Sequence, residues 1–269
     1  MKLAASNIVW DSADVTAFFR HCADLGFSGI ELAPSKIWPE PVDADKQSLA
    51  SVKKELFDHG LELTGFHALL YTRRDLTLFE SPASFQSTLN YLTELAMLCS
   101  DMGGNNMIMG SPANRSLCGR SFEDCFQQAV DGFGILAENC ENVGVKFCIE
   151  PLAPEQTDFI SSTREGERLV EEINHPNFRL HLDATALRSE TDPPELVIRR
   201  TTRPEHFHVN DPDLSPPGSS TNDLPAMIQA LNDKHYHGYL SIETLNHGMP
   251  PRQTLERSVS YLRDILDRN

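Results

Sequence analysis

Short apolar, β-branched-rich runs recur along the chain at residues 2–9, 28–32, 61–69, 105–109, 145–152, 178–184, 206–210 and 238–244. Each reads as a strand, and each gap between them is long enough for one helix. In 14–25, Val15, Phe18, Phe19, Cys22 and Leu25 fall at three- and four-residue steps, and Leu89, Leu92, Leu95, Ala96 and Cys99 do so in 85–102. Both stretches predict amphipathic helices. The boundaries carry matching signals. Ser162-Thr163-Arg164-Glu165 fits a capping box, and Asp192-Pro193-Pro194-Glu195 offers an N-cap followed by first-turn prolines. Gly60, Gly103 and Gly144 stand where a left-handed residue would close a helix.

Strands alternating with helices imply parallel pairing, because a parallel connection needs a crossover and a helix is the usual one. The economical architecture is an α/β fold, a single (β/α)8 TIM barrel over residues 1–269. An open doubly wound sheet is the alternative, but no Gly-x-Gly-x-x-Gly follows the first strand and no Walker loop occurs. No linker or low-complexity run marks a domain boundary. Residues 211–221, rich in Pro, Ser and Gly, read as a long loop after the seventh strand.

Alternation within the last four strands selects the candidate chemistry, since residues two apart share a face. If Phe147, Ile149, Leu180, Leu182, Phe207, Val209, Leu240 and Ile242 meet the helices, then Glu150, Asp183, His208 and Glu243 face inward at the strands' C-terminal ends. That end of a barrel is the catalytic face. Three carboxylates converging there repel one another and lose solvation unless something positive is bound. One divalent metal ion answers this. Carboxylates with one imidazole suit Mn2+ first, with Mg2+, Co2+ or Zn2+ also compatible, and the set holds no thiolate of the kind a structural zinc site uses.

Composition narrows the partners. With 39 acidic against 23 basic side chains the net charge is −16, which opposes the counterion-releasing contacts of a nucleic-acid binder. No run approaches the about 20 apolar residues of a membrane span, and the N-terminal residues show no secretory apolar block, so a cytoplasmic location with neither nucleic-acid nor membrane partners is expected. The six cysteines form no Cys-x-x-Cys pair and read as reduced thiols, mostly small core residues, with Cys118 beside Gly119 and Arg120 the candidate for reactivity.

The chain resembles the xylose-isomerase-like TIM-barrel superfamily of sugar isomerases and epimerases along nearly its whole length. The resemblance is carried by Gly29-Ile30-Glu31-Leu32, Met109-Gly110-Ser111-Pro112, Cys148-Ile149-Glu150-Pro151, Leu182-Asp183, His206-Phe207-His208-Val209-Asn210-Asp211 and Tyr239-Leu240-Ser241-Ile242-Glu243. It implies metal ligands at Glu150, Asp183, His208 and Glu243, the residues that strand phase also selects. It also implies that Glu150 and Glu243 act as acid and base on opposite sides of the substrate, a small carbohydrate or keto-acid. Two departures matter. A histidine that many relatives place three residues beyond the aspartate is Ala186 here, and Asp211-Pro212 stands where ketose 3-epimerases carry an Asn-Arg pair shortly after the seventh strand. The resemblance therefore implies the broad isomerase/epimerase class.

Secondary candidates for substrate contact are His67, Arg115, Glu31 and Asn7. His67, near the end of strand three, could reach a substrate oxygen or serve the barrel's own hydrogen bonding. Arg115 and Arg120 could clamp a carboxylate or phosphate, or sit in a solvated loop. Glu31 and Asn7 end early strands and could line the cavity. Lys146 and His181 lie deeper on the inward face, where interior hydrogen bonding is expected. Trp10 and Trp38 could wall the pocket, whereas His235 and His237 precede the last strand at the stability face. The competing functions are a dehydratase of the inosose or dehydroshikimate type on the same scaffold, a non-catalytic sugar-binding barrel, and an apurinic endonuclease, which needs further ligands on earlier strands. A homo-oligomer is compatible with all of them.

Overall fold

In the computed structural model, which describes residues 1–11, 14–245 and 248–268, the strands are β1 (Lys2–Ser6), β2 (Gly29–Leu32), β3 (Glu62–Phe66), β4 (Asn106–Met109), β5 (Lys146–Ile149), β6 (Phe178–Asp183), β7 (His206–Val209) and β8 (Tyr239–Ile242). They pair in sequence order and β8 returns to β1, closing a parallel barrel. The helices are α1 (Val15–Asp24), α2 (Lys46–Asp58), α3 (Pro82–Asp101), α4 (Phe122–Asn142), α5 (Thr163–Ile173), α6 (Ala184–Leu187), α7 (Pro194–Arg200), α8 (Leu224–Asp233) and α9 (Pro251–Leu266). This is a TIM barrel. Among the described residues no helix is long and apolar enough to cross a membrane.

Helix α4 shows how the sequence builds one unit. Ser121 caps it by accepting from the Asp124 amide at 3.2 Å, and Glu123 and Asp124 favour the positive end of the helix dipole. Its buried stripe, including Cys125, Phe126, Ala129, Phe133, Leu136 and Cys140, recurs every three or four residues. Phe133 then meets Phe147 of β5 and Phe178 of β6 at ring separations of 5.6 and 5.7 Å, so these two strand residues face the helices. Glycine is required where β3 meets β4, because a Cβ on Gly65 would lie 2.0 Å from the Asn106 carbonyl oxygen.

Six of the eight strands stop before the apolar runs do, β1, β3 and β5 by three residues each. Ser6 Oγ accepts from the Ile8 amide at 3.0 Å, turning Asn7–Val9 into a 3-10 turn, and β3 gives way where Ala68 takes φ +50°. The Asp192 cap is also corrected: α7 starts at Pro194 behind Pro193 without a side-chain cap, and Asp192 pairs with Arg200. At the other predicted caps, Ser162 accepts from the Glu165 amide at 3.3 Å, while Glu165 reaches the Ser161 amide at 2.6 Å. Gly60, Gly103 and Gly144 all take positive φ. The six thiols are free, and all but Cys118 are buried.

Candidate metal centre and active site

Parallel register sets the depth of each functional side chain. Asp183 pairs with His208, and His208 pairs with Ser241, two residues before Glu243. Glu150 follows directly on β5, its amide donating to the Met109 carbonyl at 3.2 Å. Glu150, Asp183, His208 and Glu243 thereby meet at one barrel end, each offering an atom within 4.8 Å of the others'. Glu150, Asp183 and His208 are buried, and the Glu243 side chain is only 14% exposed.

The electrostatics follow from that crowding. Burial, then repulsion from Glu243 and Asp183, pushes the Glu150 carboxyl well above its ordinary range. Asp183 is also raised by burial and by Glu243, although its oxygens accept from the Ala186 amide at 2.8 Å and the Asn210 amide group at 2.6 Å. Burial acts the same way on Glu243, but His208 and His67 outweigh it and hold the carboxyl well below the usual range. Environments that drive neighbouring carboxyls apart in this way are a mark of acid and base sites.

His208 provides a direct test of metal fit. Its Nε2 lies 2.9 Å from Glu31 Oε2, which also accepts from Ser241 Oγ at 2.7 Å. Its Nδ1 is 3.1 Å from Glu243 Oε2, yet it is buried and outside hydrogen-bonding alignment. A histidine held by a carboxylate at one nitrogen, with its other nitrogen turned toward the converging carboxylates, has the outer-sphere arrangement of a metal ligand. With three oxygen donors beside it, the set fits a divalent cation.

Residues 19–265 match the xylose isomerase-like TIM barrel family. The chain belongs to that family. A D-psicose 3-epimerase of Agrobacterium fabrum is 26% identical over 239 residues, spanning 86% of this chain and 80% of its own. A 3-dehydro-D-guloside 4-epimerase of Escherichia coli is 20% identical over 277 aligned positions, spanning 98% of this chain and 99% of its own. Among solved structures, the D-psicose 3-epimerase of Clostridium cellulolyticum H10 with D-tagatose has a TM-score of 0.85 at 18% identity, with 99% of each chain covered. At that identity the structural likeness speaks to the fold.

In this xylose isomerase-like barrel, a cavity of about 450 Å3 reaches three of the four side chains, Glu150, Asp183 and Glu243, and is also lined by His67, Gly110 and Thr185. Tyr71, Pro112, Leu152, Ala153 and Leu214 contribute apolar lining, and Ser111, Gln156, Ser189 and Asp213 contribute polar lining. No lysine or arginine is among the described residues lining it. Gly110 makes room for the acid, since a Cβ there would lie 2.4 Å from Glu150 Oε2.

The secondary candidates divide. His67 does line the cavity, with Nδ1 3.0 Å from Glu243 Oε1 and Nε2 2.6 Å from Ser6 Oγ. Glu31 lies behind His208 rather than on the cavity wall, its carboxyl held low against burial by His208 and His206. Asn7 spends its side chain on Ala33, accepting from the amide at 2.7 Å. Arg115 is fully buried behind the acid, and its Nη1 donates to the Glu150 carbonyl at 2.8 Å. Arg120 ties its loop to α4 and to the segment before α3, donating to Gln128 at 2.7 Å and to the Phe79 carbonyl at 3.4 Å.

Trp10 borders a separate recess with Pro250, Pro251 and Arg252, and Trp38 donates to Ser48 at 2.8 Å. Lys146 pairs with Glu205, and His181 stacks on His206 below the four-residue set. The role of Asn210 was missed in the sequence. Its side chain donates to Asp183 and accepts from the Thr185 amide and hydroxyl at 3.0 and 2.8 Å. Its inward phase beside Asp183 was the available signal.

Proposed function

We propose that this chain is a divalent-metal-dependent isomerase or epimerase of a small, uncharged carbohydrate, acting by proton transfer beside a carbonyl. The observation that carries this reading is the convergence of three carboxylates and a carboxylate-oriented imidazole within 4.8 Å. It is supported by homologues that are ketose 3-epimerases and a glycoside 4-epimerase. The absence of cationic side chains from the described lining favours a neutral sugar over a phosphorylated or acidic one.

Glu150, Asp183, His208 and Glu243 would hold the ion, with Mn2+ the first candidate. A divalent cation supplies, when bound, positive charge that lowers the cost of the anion formed when a carbon beside a carbonyl loses its proton. Glu150 and Glu243 are the proton carriers: one removes the proton, and the other returns one to the opposite face or the adjacent carbon. His67 steadies Glu243 from behind, Asn210 steadies Asp183, and Glu31 fixes the tautomer and tilt of His208.

The test is incubation of the Mn2+-supplemented protein with neutral ketoses and keto-glycosides in D2O. Deuterium at the carbon next to the carbonyl, with a product of otherwise unchanged mass, is the expected outcome. Loss of water instead identifies a dehydratase. No exchange with any sugar, despite tight metal binding, defeats the catalytic reading.

A further inference from the structure

Arg115 is the largest fully buried side chain, yet its Nε and Nη2 have no hydrogen-bond partner among the described residues. Leaving such groups unpaired in the interior is costly, and burying a cation raises that cost. Its one bond goes to the backbone of a site acid: Nη1 donates to the Glu150 carbonyl at 2.8 Å.

Much local structure serves to put it there. Ser111 takes the left-handed φ of +43° and starts a 3-10 turn through Asn114, with the Arg115 amide donating to the Pro112 carbonyl at 3.3 Å. Asn114 ties this turn to the preceding loop by donating to the Arg73 and Leu76 carbonyls at 2.7 and 2.8 Å and by accepting from the Leu78 amide at 2.8 Å. A strained residue and an over-determined turn next to a cavity are features that persist when the surroundings enforce them.

We propose that Arg115 is a positioning residue for Glu150, retained for the site at the expense of stability. The Glu150 peptide is gripped from both sides, its amide on the Met109 carbonyl and its carbonyl on Arg115. Between these grips its carboxylate lies against Gly110, where a Cβ would come within 2.4 Å of Oε2. Without the guanidinium the exit of β5 is free to rotate and the carboxylate is no longer held at the distance that the other three donors require. Arg115 touches neither substrate nor ion in this account. The inference rests on the reading of the four residues as a metal and proton-transfer site.

The test compares wild type with R115M and R115K, by calorimetric titration with Mn2+, thermal melting and steady-state kinetics on the sugar that exchanges best. R115M should stay folded and melt no lower than wild type, because an apolar chain of similar length replaces an incompletely paired buried charge. Its Mn2+ affinity should fall about tenfold, and kcat about thirtyfold with KM nearly unchanged, the scale of a displaced outer-sphere contact. R115K, which keeps a donor, should recover part of both losses. R115M that equals wild type in Mn2+ affinity and kcat overturns the proposal. So does R115M that is insoluble or melts well below wild type, since Arg115 is then a stabilising group. If the wild type binds Mn2+ but exchanges no sugar, the catalytic reading fails alone and the Mn2+ titration still decides Arg115.

Discussion

Charged side chains occupy both ends of this barrel, and the two ends settle them differently. At the N-terminal end, Glu62 meets Lys2 at 3.3 Å and the Tyr239 hydroxyl at 2.5 Å, while Glu205 meets Lys146 at 2.6 Å and Arg179 at 3.7 Å. Each acid has a cation and keeps some contact with solvent. At the C-terminal end, Glu150, Asp183 and Glu243 crowd together with His208 and His67, and the carboxyls of Glu150 and Asp183 are driven upward by burial and mutual repulsion. Charge is cheap where it is paired and wet. It is kept unbalanced and buried only where a ligand or a reaction compensates.

The sharpest way to break this contrast is to neutralise the two proposed proton carriers. E150Q and E243Q should each lower turnover of the exchanging sugar by about 1,000-fold, within the range expected for loss of a general acid or base. E150Q should melt no lower than wild type, because burial and like charges oppose ionisation there, whereas E243Q should lose some stability, because His208 and His67 favour the Glu243 carboxylate. Deuterium wash-in and a melting curve on the same sample check the two halves. Full turnover by either variant would falsify the proton-carrier roles.

Metal removal probes the same imbalance through stability. Adding Mn2+ at about 100 times its dissociation constant should stabilise the fold by about 2.7 kcal/mol, and excess chelator should reverse the gain. E150Q should raise the melting temperature of the chelated protein, since it removes one repelling carboxylate, and should blunt the response to Mn2+. E205Q should respond to Mn2+ like wild type. A melting temperature that ignores Mn2+ in the unmodified chain removes the cation from the account.

A smaller effect separates orientation from coordination. Glu31 accepts from both His208 and Ser241 but lies off the cavity wall, so E31Q should weaken Mn2+ binding by about 10- to 100-fold without abolishing it. Isothermal titration measures this. An unchanged affinity would show that β7 packing alone holds the His208 ring.

What the sequence revealed and what it hid have a common physical basis. The alternation of strands with helix-length segments and the period of two within β5 to β8 are local features, so the barrel and the convergence of Glu150, Asp183, His208 and Glu243 were legible from spacing alone. The Glu31–His208 and His67–Glu243 contacts join residues 177 and 176 positions apart, and the Arg115 bond spans 35. Closing the barrel creates these contacts, so no window of sequence contains them. Arg115 shows this most clearly: in a loop with Pro112 and Asn114 it reads as a residue for binding anions, and only the folded turn reveals that it faces a carbonyl inside. The end of β1 was hidden for a related reason, since a serine accepting from the backbone two residues on competes with the strand ladder.

The smallest effect belongs to the balanced end of the barrel and completes the contrast. Hydrogen bonds from Tyr239 and Lys2 hold the Glu62 carboxyl below its ordinary range of about 4.5. A carboxyl depressed in the folded state binds fewer protons there than in the unfolded chain, so its stabilisation is present above the unfolded pKa and is lost as pH falls through the folded one. Glu62 is well exposed, which makes the contribution a fraction of a typical buried pair's. E62Q should therefore cost a small amount of stability at pH 7, and the difference from wild type should shrink toward zero as the pH falls below 4. Neither variant nor pH should alter Mn2+ affinity through this residue at neutral pH. Urea melts at pH 7 and pH 3.5 with and without the substitution measure this, and a difference that grows on acidification would show that Glu62 is not stabilised by its partners.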